Sequence, residues 1–269
     1  MSWAGWLSVS AVAVGLAGQA AADDLDVDLE LTLAVDVSRS MDVAEQRLQR
    51  DGYVAAFRHP DVIRAITAGA FGRIAVSYFE WSDPGFRAPI VPWTLVASAE
   101  DAEKLAATLE AAPIRRERGT SISSGLYFAA GQFDGNGFRG LRQTVDVSGD
   151  GPNNMGYPVT SARDVLVRRG ITINGLPIML SRDGDHDDES NIPDLDLYYA
   201  DCVIGGPGAF MITVDETTRF DTAIRRKLVL EISGLPPRLI LAAETPAPAP
   251  RVDCLIGEKA RWARLPPER

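Results

Sequence analysis

Leu31-Thr32-Leu33-Ala34-Val35-Asp36-Val37-Ser38-Arg39-Ser40 decides how the chain is read. Its first half is a near-continuous apolar run, which suits a strand covered on both faces. Hydrophobicity then gives way to Asp36, Ser38 and Ser40, so oxygen-bearing side chains gather at the strand's carboxyl end. Asp42 opens an amphipathic segment with Glu45 three residues on, the spacing of a reciprocal helix cap, and helix is predicted over 42–57, stopped by His59-Pro60. The three polar residues therefore fall in a strand-to-helix turn, where open α/β sheets bind ligands.

Outward from that stretch, a short helix is predicted at 61–68 and a strand at 73–81. A turn at Ser82-Asp83-Pro84-Gly85 leads to an edge strand at 88–95, antiparallel and peripheral because Pro89 and Pro92 cannot donate to a central ladder. Helices are expected at 98–111, 121–133 and 160–169, and strands at 143–148 and 171–179. The last strand is expected at 209–214 and the last helix at 217–230. This alternation predicts an α/β fold: a doubly wound, mostly parallel sheet with one antiparallel edge strand and helices on both faces. Pro236, Pro237 and the proline-rich stretch 245–250 mark an irregular tail over 233–269.

A chain of 269 residues with 46% hydrophobic content can bury one large core, which is assigned to 23–232. Net charge is −10, and basic runs are confined to Arg115-Arg116-Glu117-Arg118 and Arg225-Arg226-Lys227. Nucleic acid and anionic membrane are therefore poor partners. Residues 1–22 carry no charged side chain, and an apolar stretch at 7–16 runs into Gly18-Gln19-Ala20-Ala21-Ala22, which reads as a secretory signal peptide cut after Ala22. A short membrane anchor is the competing reading, but the run is shorter than the roughly 20 residues a span needs and no later segment could cross a bilayer, so the mature chain is expected to be periplasmic or secreted, without a transmembrane segment. In an oxidising compartment the two cysteines, Cys202 and Cys254, favour a disulfide that would tie the tail back. The acidic loop Asp183-Gly184-Asp185-His186-Asp187-Asp188-Glu189 alternates oxygen ligands but lacks the turn glycine of a calcium loop, so it is read as a solvated connection. His59 is read as structural.

Two further motifs sit at element boundaries. Gly119-Thr120 precedes the helical Ser121-Ile122-Ser123-Ser124-Gly125-Leu126, and Val145-Asp146-Val147-Ser148-Gly149-Asp150-Gly151 ends a hydrophobic strand in Asp-Gly. Asp36, Ser38, Ser40, Thr120 and Asp150 together provide oxygen donors with only two negative charges. A hard divalent cation, Mg²⁺ or Mn²⁺ ahead of Ca²⁺, suits such a set and would keep an exchangeable position. With a net charge of −10, the surface around the site is expected to be acidic.

Asp-x-Ser-x-Ser, Gly-Thr and Asp-Gly in this order resemble the metal-ion-dependent adhesion site of von Willebrand factor A domains, over about residues 27–232. Close to the whole chain resembles a secreted bacterial family called domain of unknown function 1194, especially at Val147-Ser148-Gly149-Asp150-Gly151-Pro152-Asn153-Asn154 and Ile173-Asn174-Gly175-Leu176-Pro177. The resemblance implies that Ser38 and Ser40 ligate directly, Thr120 directly or through water, and Asp36 and Asp150 mostly through water. It implies a protein-binding module that captures a partner's Asp or Glu through the cation. The alternative is a metal-dependent hydrolase or phosphotransferase, since doubly wound sheets with a strand-end Asp also serve phosphoryl transfer. Ser38 stands where the second carboxylate of an Asp-x-Asp would be, and two histidines without a supporting motif leave no Ser-His-Asp set. Neither the partner's identity nor an oligomeric state is written in the sequence.

Overall fold

The computed structural model of the chain describes residues 24–180, 192–215, 219–234 and 251–264. A short strand β1 (Leu25–Val27) leads into β2 (Glu30–Asp36), all seven residues of which are buried. Leu31, Leu33 and Val35 join one hydrophobic cluster and Ala34 the other, the alternation of a strand sandwiched between two layers. Thr32, on the face of Ala34, accepts a hydrogen bond from the Ser77 hydroxyl at 2.7 Å.

Helix α1 (Val43–Arg58) begins with the expected reciprocal cap: Glu45 N–H donates to Asp42 Oδ1 at 2.8 Å and Asp42 N–H to Glu45 Oε2 at 2.7 Å. His59 ends this helix and caps α2 (Pro60–Thr67), its Nδ1 accepting the Asp61 N–H at 3.1 Å, a structural role. Then come β3 (Ile74–Trp81), β4 (Arg87–Val96), α3 (Ala99–Ala111), α4 (Ile122–Gln132), β5 (Phe138–Gly140) and β6 (Gln143–Gly149). The chain continues through α5 (Val159–Arg168), β7 (Thr172–Met179), and α6 (Leu195–Tyr198), which runs into a single π turn at Tyr199–Val203. β8 (Val214–Asp215), α7 (Phe220–Ser233) and α8 (Ile256–Arg264) complete it.

The main sheet has the order β4-β3-β2-β6-β7-β8, parallel throughout except for β3 with β4. From β2 the chain builds outward to β3 and β4, then returns to the other side of β2 as β6. The winding therefore reverses between β2 and β6, and the carboxyl ends at that switch point lead into Asp36 and Asp150. One face packs Leu31 and Leu33 against Tyr53 and Phe57 of α1, Leu105 and Leu109 of α3, and Ile224 and Leu228 of α7. The opposite face packs Val145 and Val147 against Leu126 of α4, Ala162 and Leu166 of α5, and Tyr198, Tyr199 and Cys202. The architecture is the doubly wound one expected, with β4 as the antiparallel edge.

The expected strand at 209–214 contracts to β8. The segment does run beside β7, with Gly175 N–H donating to Phe210 O at 3.0 Å and Ile212 N–H to Gly175 O at 3.1 Å. Pro177 then has no N–H to offer, and pairing resumes only where Ile178 meets Val214. The last helix starts at Phe220, later than expected, and residues 216–218 lie outside the described residues. Parallel pairing of β1 with β5, the π turn and α8 were not expected. Cys202 and Cys254 are joined, Cα to Cα 5.5 Å, which ties the start of α8 to the π turn. Residues 1–22, the acidic loop 183–189 with its calcium reading, and the proline-rich stretch 245–250 lie outside the described residues. Among the described residues no helix is long and apolar enough to cross a membrane.

Candidate metal centre

At the end of β2 the fully buried Asp36 accepts the Ser38 N–H on Oδ1 at 2.7 Å, a side-chain turn that curls the chain back over the strand end. The curl places Ser38 Oγ 2.7 Å from Ser40 Oγ. Ser40 in turn donates to Asp150 Oδ1 at 2.6 Å, with Ser38 Oγ 3.5 Å from the same oxygen. Hydrogen bonds thus join four of the five sequence-nominated residues. Thr120 lines, with Ser38 and Ser40, a cavity of about 160 Å³ whose other walls are Arg39, Arg118, Gly119 and Asn154.

Each loop is held by residues around the nominated donors. Gly119 has φ +83°, a conformation that strains other residues, and a β-carbon there would fall 2.3 Å from Met155 Sδ where the two loops meet. Thr120 N–H donates to Asn154 Oδ1 at 3.0 Å, and Thr120 O accepts Asn154 N–H at 2.9 Å. Asn153 accepts the Ser123 N–H of α4 at 3.0 Å and donates to Glu258 Oε1 of α8 at 2.7 Å. From α1, Gln46 donates to Ser38 O at 3.2 Å and Gln49 to Ser148 Oγ at 2.7 Å. The basic run at 115–118 is largely a brace. Arg115 pairs with Glu80 at 3.1 Å, Arg116 donates to Arg39 O at 2.8 Å and Met41 O at 2.9 Å, and Glu117 N–H bonds Val37 O at 2.8 Å. Two signals were present in the sequence: two glutamines three apart on the covered face of α1, and the Asn pair just after Asp150-Gly151.

Burial, and then the charge of Asp150, push the Asp36 carboxyl well above the usual carboxylate range. Its Oδ2 is buried without a hydrogen-bond partner among the described residues. An unmatched buried carboxylate oxygen is costly, and beside it stand a second carboxylate and hydroxyls, all hard donors. The donors present therefore fit a hard divalent cation, which would relieve both the desolvation and the like-charge repulsion. Among the described residues no three His, Cys, Asp or Glu side chains cluster in a way that could hold a metal. The expectation of an acidic surround is corrected: the charged residues lining the cavity are Arg39 and Arg118, both exposed. Net charge describes the whole chain and does not say which charges line the cavity.

No curated protein matches the chain. Solved structures do. Proximal thread matrix protein 1 from the mussel byssus superposes with a TM-score of 0.54 at 16% identity, over 78% of this chain and 49% of that one. A structure of the same mussel protein described as having a zinc-occupied MIDAS motif gives 0.51 at 14% identity, over 78% and 47%. The pilus adhesin SpaC from Lactobacillus rhamnosus GG gives 0.54 at 15% identity, over 78% and 31%. A von Willebrand factor type A protein from Catenulispora acidiphila gives 0.54 at 13% identity, over 77% and 43%. The chain thus spans half or less of the length of each, and at these identities the likeness is one of fold, the von Willebrand factor A type. The family model described as "Protein of unknown function (DUF1194)" matches residues 26–236, and the chain belongs to that family.

Proposed function

We propose that the chain is an exported binding module, not an enzyme, that holds Mg²⁺ or Mn²⁺ at Asp36, Ser38, Ser40, Thr120 and Asp150 and captures an Asp or Glu of a partner protein. The observation that carries the reading is the meeting of Asp36, Ser38, Ser40 and Asp150 at the switch point, with an unmatched carboxylate oxygen among them. When bound, the cation supplies an exchangeable electrophilic position that a carboxylate can fill. Ser38, Ser40 and Thr120 are neutral donors, so they leave that position attractive to an anion. Asp150 orients the Ser40 hydroxyl, and Asp36 fixes the turn that presents Ser38. Arg39 and Arg118 on the cavity wall draw an acidic partner to it against the net charge of the chain.

The joined cysteines support export, because disulfides persist in oxidising compartments. Among the structures of like fold, a pilus adhesin and a thread matrix protein of the mussel byssus support the same placement. Zinc in the mussel protein's motif supports a divalent cation here and adds Zn²⁺ to the metals worth testing. Affinity capture with immobilised protein tests the reading. A partner should be retained in Mg²⁺, released by chelator and not captured by Thr120→Ala, while phosphate esters are left intact by both forms. A partner that stays bound after chelation, or a metal-dependent phosphatase activity lost in Asp36→Ala, overturns the reading in favour of a hydrolase.

A further inference from the structure

Tyr199 lies on the π turn, fully buried, and its hydroxyl has no hydrogen-bond partner among the described residues. Two strand glycines make its slot. A β-carbon on Gly175 of β7 would lie 2.7 Å from Tyr199 Cδ1, and one on Gly149 of β6 would lie 2.9 Å from the Tyr199 hydroxyl. Val147 pairs with Gly175 and Gly149 with Pro177, so the glycines sit on adjoining strands and the ring crosses between them toward the end of β2. The same β-carbon position on Gly149 lies 3.0 Å from Asp36 Oδ2, the other buried oxygen without a partner. Two unmatched oxygens thus flank one missing side chain, at most about 6 Å apart, within reach of a single bridging water. Any larger residue at Gly149 would separate them.

We infer that Tyr199 is a positioning residue of the metal centre, its hydroxyl orienting Asp36 through one water that bridges to Oδ2. The inference rests on the metal reading above and concerns how that site is built. Outer partners of this kind fix a ligand's orientation, and losing one typically weakens metal binding about 10–100-fold. The π turn is a suitable carrier: such bulges are concentrated at functional sites, and Cys202 in the same turn is bonded to Cys254. A chain of contacts then runs from the metal centre through Tyr199 to α8.

Calorimetric titration of Mn²⁺ into the full chain, beside melting of the metal-free protein, tests this in Tyr199→Phe and in Tyr198→Phe. Phenylalanine keeps the ring in its slot, and Tyr199 has no described protein group to lose. Tyr199→Phe should therefore weaken Mn²⁺ binding tenfold or more while metal-free melting stays within about two degrees. Tyr198 accepts the Asn153 N–H at 3.1 Å, so Tyr198→Phe should lower metal-free melting and shows that this readout registers a structural hydroxyl. An unchanged Mn²⁺ constant in Tyr199→Phe overturns the inference alone, as does a weakened constant accompanied by an equally lowered metal-free melt. Absence of Mn²⁺ binding by the unmodified protein overturns both the inference and the metal reading.

Discussion

Lys227 Nζ lies 2.7 Å from Asp146 Oδ1 and also bonds Glu231, which accepts from Asn174 Nδ2 at 2.9 Å, so two carboxylates share one ammonium in the core. Burial first, and then the charge of Asp146, raise Glu231 to about 7 from an ordinary 4.5. The folded chain thus holds a proton there that the unfolded chain has released, so the group stabilises fully below about pH 4.5 and that contribution is lost as pH rises through about 7. Glu231→Gln should therefore flatten the slope of melting temperature between these values, read by calorimetry at a series of pH. An unaltered slope would assign the titration elsewhere. At this scale the sequence showed the oxygen donors nominated for the metal, because Asp36, Ser38, Ser40 and Asp150 sit at strand ends, Thr120 just precedes a helix, and small polar runs of this kind are visible locally. Tyr199 was not visible, and Asn153 was visible only as a neighbour of Asp150-Gly151, since their roles depend on Asp36, Ser123 and Glu258, which only the fold brings near.

The long, strongly patterned elements announced themselves, β2 by its apolar run and α1 and α3 by their caps. β1 and β5, at three residues each, are too short to show a period. α8 carries Glu258, Lys259, Arg261 and Arg264 in nine residues, and only docking makes sense of it: Glu258 is buried on Asn153, and a β-carbon on Gly257 would lie 2.3 Å from Asn153 O. The disulfide holds this helix in place. With a separation of 52 residues the closed loop stabilises by about 4 kcal/mol in the chain-entropy model. For a domain of this size that is about 10 °C in melting temperature. Cys202→Ser with Cys254→Ser should lower the midpoint by that amount and speed exchange of the amide hydrogens of α8. A midpoint within two degrees of the unmodified chain would show that α8 docks without its covalent tie.

For the whole molecule, the fold's contribution is to bring residues 36–40, 119–120 and 150 together from three separate stretches of chain. β2 in the centre, with β3 on one side and β6 on the other, makes the switch point, and both carboxylates leave the sheet there. That arrangement was legible from the order of strands and helices, whereas the arginine lining of the cavity was not, because a net charge cannot say where charges lie. Since the complete donor set exists only in the folded chain, a bound cation must stabilise that state by mass action: about 2.7 kcal/mol at a hundredfold excess over Kd. The most direct measurement is thermal melting with calorimetric titration of Mg²⁺ and Mn²⁺ into the unmodified chain and Asp36→Ala. On the metal-site reading, the unmodified chain binds saturably with a midpoint raised by about 6 °C, and a folded Asp36→Ala shows neither. A folded, unmodified chain that shows no heat and no shift at millimolar metal contradicts it.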